Sequence, residues 1–204
     1  MDVRRIIVGP ITTNCYIASF DGKCFLVDPG DEPSRILKEI GSMHLEFILL
    51  THGHFDHVLA LDEVCKAYPK AVVYISKNDQ GLIKNLSAQT YFLGKEILDI
   101  NTPAKAVGQG DKIKFAGETI KVISTPGHTS GSVCYLLNDT LFSGDTLFYH
   151  SIGRTDLPTS DDIDMLGSLK KLSSLPLETQ VLPGHGQQTT IGEEVQNGFL
   201  AKFS

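Results

Sequence analysis

The sequence predicts an α+β protein in which two β-sheets pack together with helices outside. Three observations predict it. Short apolar runs bounded by turn residues alternate with amphipathic stretches through the first half, and the second half opens at Gly110-Asp111 and is strand-rich. No Pro/Ser linker, low-complexity tract or tandem repeat interrupts the 204 residues, and each half is by itself a group of strands with helices. That length suits one domain, residues 1–204, with a substantial core, and is short for two domains of ordinary size.

The elements follow in order. RRIIVG, NCYIASF and KCFLVDPG read as three successive strands, the last stopped by Asp28-Pro29-Gly30. EPSRILKEIG reads as a short amphipathic helix with Pro33 in its first turn, apolar Ile36, Leu37 and Ile40, and Gly41 to end it. FILLT is a continuous apolar run, the pattern of a strand covered on both faces. DHVLALDEVCKAYP predicts a helix with Val58, Leu61, Val64 and Cys65 on one side, AVVYIS a strand, and KNDQGLIKNLSAQTYFLGKEIL irregular helix and loop. In the second half DKIKFAG, ETIKVIST, SVCYLL and TLFSGD are strands at short spacing. SDDIDMLGSLKKLSSL is a helix with Ser160 as N-cap, TQVLPGHG a last strand, and IGEEVQNGFL a final short helix.

Composition excludes several functions. Hydrophobic residues make up 41% and charged residues 21%, as in ordinary globular proteins, and the net charge is −6 with no run of Lys or Arg. The phosphate backbone of a nucleic acid is repelled on average by such a chain, so nucleic acid is not the expected partner. The start, MDVRRIIVGPITTN, has only a three-residue apolar run before Gly9, and no stretch of eighteen apolar residues occurs, so neither a leader peptide nor a membrane span is expected. Cys15, Cys24, Cys65 and Cys134 are widely spaced without CxxC, which reads as small buried thiols in a reduced, cytoplasmic compartment.

The chemistry is concentrated in THGHFDH at 51–57, directly after the apolar run FILL. Three further strand-like runs also stop in a turn and present a His or an Asp: His128 after Pro126-Gly127, Asp145 after Gly144, and His185 after Pro183-Gly184. Loops at one edge of a sheet can converge, and strand ends hold ligands rigidly. Neutral imidazole and carboxylate suit zinc or iron. His52, His54, Asp56, His57, His128, Asp145 and His185 are too many for one tetrahedral ion and suit two ions, roughly 3.5–4 Å apart, that share a bridging carboxylate. His44 and His150 stand outside this pattern and are read as ordinary surface or core histidines.

These motifs resemble the metallo-β-lactamase superfamily, and within it the glyoxalase II-like hydrolases. THGHFDH, PGH with His128, GDT with Asp145 and PGHG with His185 match in order and rough spacing over nearly the whole chain, and FLVDPG at 25–30 is also typical. The resemblance implies a four-layer αββα sandwich with the metal site at one edge of the two sheets. It implies one ion on His52, His54 and His128, another on Asp56, His57 and His185, and Asp145 bridging them together with a hydroxide. Asp28 would act behind the ligands, Asp56 would also orient the nucleophile, and Arg154 would hold an anionic part of the substrate. The cofactors so implied are two divalent metal ions, zinc first, with iron or manganese as alternatives.

The resemblance further implies hydrolysis of a small-molecule thioester, of the hydroxyacylglutathione kind, or of a related ester. Classical glyoxalase II carries an extra C-terminal helical glutathione-binding domain, whereas only 19 residues follow His185 here, and Asp156 stands where an aromatic residue is expected. The chain looks most like the short bacterial glyoxalase II-like proteins that share the SIGRTDLP stretch. Persulfide dioxygenases resemble it too and use a single iron on the equivalents of His52, His128 and Asp145. A lactonase and a non-catalytic metal-binding relative are the remaining alternatives.

Overall fold

The computed structural model describes residues 1–92 and 97–203 and divides the chain into two compact units, 1–106 and 107–204. The first unit holds a six-stranded sheet ordered as in the sequence: β1 (Asp2–Val8), β2 (Thr13–Phe20), β3 (Lys23–Val27), β4 (His44–Leu49), β5 (Val72–Ser76) and β6 (Ala104–Val107). The first three strands pair antiparallel through tight turns. β3, β4 and β5 then run parallel, which requires crossovers, and helices α1 (Pro33–Ile40) and α2 (Leu61–Ala67) supply them. Strand alternation sends Ile17, Leu26, Ile48 and Val73 to one face, where they pack with Ile36 and Ile40 of α1 and Leu61 and Val64 of α2. The other face is apolar as well, with Phe25 stacked on Phe47 at 5.2 Å between ring centres. A strand with both faces buried reads as a continuous apolar run, which is why FILL was legible.

The second unit holds β7 (Lys112–Phe115), β8 (Glu118–Ser124), β9 (Val133–Leu137), β10 (Thr140–Gly144), β13 (Gln180–Pro183) and β14 (Thr189–Thr190), in the order β14-β13-β10-β9-β8-β7. A two-stranded ribbon, β11 (Leu147–Phe148) and β12 (Ser151–Ile152), follows β10. Antiparallel hairpins lead to β10, and the parallel step from β10 to β13 crosses over through α4 (Asp162–Leu172). Met165, Leu169 and Leu172 of α4 and Ile191 of α5 (Ile191–Gln196) pack with Leu141 and Val181 of the sheet. No helix among the described residues is long and apolar enough to cross a membrane.

The structure departs from the sequence reading at definable points. β4 starts at His44 and ends at Leu49 rather than running over 47–51. The helix expected from Asp56 begins at Leu61; Phe55–His57 form a single 3-10 turn, and Ala60 gives no side-chain cap to α2. α4 is capped by Asp161, whose carboxylate accepts from the Asp164 N–H at 2.8 Å, while the Ser160 hydroxyl donates to the His128 carbonyl at 2.7 Å. The segment after β5 is a 3-10 turn (Lys77–Asp79), a short helix α3 (Gln80–Lys84) and a further 3-10 stretch to Phe92; residues 93–96 of that segment lie outside the described residues. β6, β11, β12 and β14 were not expected.

The four cysteines are free thiols. Burial pushes Cys24 and Cys134 up to about 11, and raises Cys15 and Cys65 as well. A raised thiol value means protonation, hence low nucleophilicity, at neutral pH. Iodoacetamide at pH 8 is therefore expected to leave Cys15, Cys24 and Cys134 intact in the native protein and to reach the half-buried Cys65 first, as read by peptide mass mapping.

Candidate functional site

Within the first unit the candidate residues lie where parallel strands end. β3 ends at Val27, and Asp28 follows with φ 51°, a left-handed conformation that Asp tolerates better than most residues. Its carboxylate accepts three hydrogen bonds: from the Thr51 N–H at 2.8 Å, the Thr51 hydroxyl at 2.6 Å, and His57 Nδ1 at 2.9 Å. This ties the end of β3 to the loop after β4 and holds the His57 ring through Nδ1, with Nε2 on the side of Asp56. Asp28, His52 and His57 bring donor atoms within 4.8 Å of one another. The His52 ring lies 4.2 Å from the His57 ring and 4.8 Å from that of His54. His57 Nε2 stands 3.2 Å from Asp56 Oδ2, the same oxygen that accepts from the Thr13 hydroxyl at 2.9 Å.

The loop that carries the histidines is clamped at Gly53. Its N–H donates to the buried carboxylate of Asp79 at 2.9 Å, and its carbonyl accepts from Gln89 Nε2 at 3.3 Å, while Gln89 Oε1 accepts from the Phe55 N–H at 3.1 Å. An added Cβ at Gly53 would sit 2.8 Å from Leu82 Cβ and 3.0 Å from the Asp79 carbonyl, so the glycine is needed for close approach. Gly30 is constrained in the same way, because a side chain there would overlap the carbonyl oxygen of Asp56. Asp79→Ala leaves the Gly53 N–H buried without its acceptor and is expected to cost about 1–3 kcal/mol of stability, measured by denaturant unfolding.

Within the second unit, β8, β10 and β13 run in one direction, so His128, Asp145 and His185 emerge at the same edge of that sheet. Asp145 Oδ2 stands 3.5 Å from His128 Nε2 and 3.6 Å from His185 Nε2. Those separations are long for hydrogen bonds. With metal–ligand distances of about 2.0–2.1 Å, neighbouring donors of a tetrahedral ion stand roughly 3.4 Å apart, so the carboxylate and two imidazoles are spaced as co-ligands. His128 Nδ1 donates to the Arg154 carbonyl at 2.9 Å, which fixes the ring with Nε2 toward Asp145. Gly153 permits this, since a side chain there would overlap the Asp145 carbonyl and come within 3.1 Å of His128 Nδ1. Phe148 presents an edge-to-face contact to the His185 ring, 6.1 Å between centres. The donor set, two imidazoles and a carboxylate with the second nitrogen of His128 held by a carbonyl, suits zinc or iron.

Arg154 is engaged by Asp156 through two bonds, Nε to Oδ1 at 2.6 Å and Nη2 to Oδ2 at 2.8 Å, and these hold the Asp156 carboxyl below its ordinary value. His150 pairs on the surface with Glu193 at 2.8 Å and His44 is exposed, as their default reading anticipates. Thr13, Asp79, Gln89 and the Arg154 carbonyl are supports that the sequence reading did not single out. For Asp79 a signal existed: it follows β5, the neighbour of β4, so its loop adjoins the histidine loop. Gln89 and Thr13 carry no such local mark. A cleft of about 640 Å³, lined in part by Cys65, Lys66, Lys70 and Lys105, also lies in the first unit and includes none of the candidate ligands.

Comparison with known proteins accords with this geometry. The sequence profile of the metallo-beta-lactamase superfamily matches residues 8–185, a span that contains Asp28 and all seven candidate ligands. The chain is 39% identical over 212 residues to the probable metallo-hydrolase YqgX of Bacillus subtilis, covering 100% of both chains. It is 32% identical over 208 residues to the hydroxyacylglutathione hydrolase GloC of Haemophilus influenzae, covering 98% of each. Among solved structures, the B3 metallo-β-lactamase BLEG-1 superposes with a TM-score of 0.89 at 34% identity, covering 97% of this chain and 98% of that one. The protein TTHA1623 in a di-iron-bound form gives 0.87 at 35% identity, covering 96% and 98%. With strand order, strand-end ligands and full-length likeness in agreement, the chain belongs to the metallo-β-lactamase superfamily and has its α+β fold.

Proposed function

We propose that the protein is a metal-dependent hydrolase that cleaves a small-molecule thioester, or a related ester, with two divalent metal ions. The observation that carries the proposal is Asp145 Oδ2 set at near-equal distances, 3.5 and 3.6 Å, from the Nε2 atoms of His128 and His185. That spacing lets the carboxylate be a co-ligand with each imidazole, as the two-ion reading requires. In this reading His52, His54 and His128 would hold one ion and Asp56, His57 and His185 the other, with Asp145 shared between them. The ions, zinc by choice of donors with iron or manganese as alternatives, would lower the pKa of water from 15.7 to roughly 7 and polarise the substrate carbonyl.

The chain's own residues supply the rest. Asp28 holds His57 through Nδ1, which fixes its tautomer and raises its basicity as a ligand. Asp56, oriented by the Thr13 hydroxyl, accepts a hydrogen bond from the attacking water and aligns it with the carbonyl carbon. A thiolate with a parent pKa near 8.5 leaves without a general acid, so no proton donor is required on the leaving side. Arg154, whose main-chain carbonyl is bonded to His128, is the residue proposed to hold an anionic part of the substrate.

The likeness to GloC over 98% of both chains supports the thioester class, and the likeness to YqgX supports hydrolysis in general. A small molecule, rather than nucleic acid or a membrane, is the proposed partner, in keeping with the −6 charge, and the proposed compartment is the cytoplasm. The test is a panel of thioesters, lactones and β-lactams assayed by product release, beside oxygen uptake with glutathione persulfide. Thioester turnover that chelation abolishes and zinc or iron restores is the expected result. Oxygen consumption without thioester turnover would replace the hydrolase reading with the iron dioxygenase.

A further inference from the structure

We propose that Asp156 is a specificity-determining residue: its carboxylate occupies the Arg154 guanidinium as an internal stand-in for a substrate carboxylate and has to be displaced before an anionic substrate is held. The proposal rests on the thioester-hydrolase reading above and deepens it by naming what competes for the substrate.

Three observations in the second unit lead to it. First, the segment that carries both residues is pinned against the candidate ligands. Gly153 lies on the Asp145 main chain with no room for a side chain, and the Arg154 carbonyl accepts from His128 Nδ1 at 2.9 Å. The arginine's main chain is thus held by these contacts, and its side chain is 56% exposed. Second, Asp156 binds that side chain by the parallel two-bond geometry, 2.6 and 2.8 Å, in which guanidinium recognises any carboxylate. The position a ligand carboxylate would take is filled by the protein's own. Third, the pair is easily opened. Its side chains are 56% and 69% exposed, so solvent and salt screen even this two-bond pair and water can take up the released Asp156 carboxylate.

A neutral substrate has nothing to exchange for Asp156 and leaves the pair closed. A substrate carboxylate replaces Asp156 with the same two bonds, so the arginine is never left without a partner, but the displaced Asp156 stays nearby and repels the newcomer. Asp156 therefore sets a threshold: it weakens binding of anions and favours those that can match its bidentate hold.

The experiment compares wild type, Asp156→Asn, Arg154→Gln and the double variant. S-lactoylglutathione serves as the anionic thioester, lactoyl-N-acetylcysteamine as the neutral one, and glutathione itself is titrated calorimetrically as a probe that needs no turnover. For Asp156→Asn the expected result is a fall of roughly fivefold in KM for the anionic thioester relative to the neutral one, with the same fall in Kd for glutathione. The gain should vanish in the double variant, because it acts through Arg154. If Asn lowers the thermal midpoint, Asp156→Ser repeats the comparison. An unchanged or raised KM and Kd, glutathione that binds none of the four proteins, or a gain that survives removal of Arg154, overturns the gate while thioester turnover by wild type still stands. If wild type turns over neither thioester, the hydrolase reading falls instead, and the glutathione titration alone decides the role of Asp156.

Discussion

Asp145→Ala is expected to lower kcat/KM on the best thioester by about a thousandfold or more, since it removes the one carboxylate proposed to serve both ions. The carboxylate oxygen stands 3.5 and 3.6 Å from the Nε2 atoms of His128 and His185, and with it gone both lose that shared neighbour. Metal content should fall together with activity. The fold should persist, because β10 is anchored by Leu141 and Phe142, both fully buried, and not by Asp145. Mass spectrometry of the purified variant, with its thermal midpoint as a control, checks both halves of the expectation. A variant that keeps full metal and full turnover would remove Asp145 from the centre.

The largest effect on stability is expected from Asp28→Ala, about 3–5 kcal/mol by denaturant unfolding. Three donors, the Thr51 N–H, the Thr51 hydroxyl and His57 Nδ1, converge on a carboxylate that is 1% exposed, and all three would lose that acceptor in a buried place, the hydroxyl alone keeping a second neighbour in His52 Nδ1 at 3.1 Å. The backbone adds to the loss, since φ at this position is 51° and alanine is strained there where Asp is tolerated. Asp28→Asn separates support from folding. It keeps one acceptor oxygen and tolerates the same φ, so part of the stability should return, while the weaker hold on His57 should still reduce metal affinity by about 10–100-fold. Full metal affinity in the Asn variant would show that Asp28 is needed only for the fold.

The fold was legible where burial writes itself into the sequence. FILL and CFLV are continuous apolar runs because their strands are buried on both faces, and α1 shows its Pro, its apolar stripe and its terminal glycine. The failures share a physical cause as well. β11, β12 and β14 are two residues long and hold no periodicity, and β6 alternates only weakly as an edge strand. The start of α2 was misplaced because Asp56 and His57, which resemble an acidic first turn, belong to a separate 3-10 turn that the loop needs in order to aim them. Candidate ligands were readable because they fall at strand ends in short motifs. Their supports were not, since Thr13, Asp79 and Gln89 reach the histidine loop from 26 to 43 residues away, through tertiary contacts that leave no local pattern. Arg154 was read with its charge but without its partner. The two-bond pairing with Asp156 is a matter of side-chain geometry, and the motif GRTD alone does not reveal it.

The central claim is that this chain holds two metal ions, with His185 serving only one of them. Inductively coupled plasma mass spectrometry on protein purified without added metal, wild type beside His185→Ala, measures it directly. About two ions per chain in wild type, of zinc, iron or a mixture, falling toward one in the variant, is the predicted result. A single iron in wild type that His185→Ala leaves in place would contradict it.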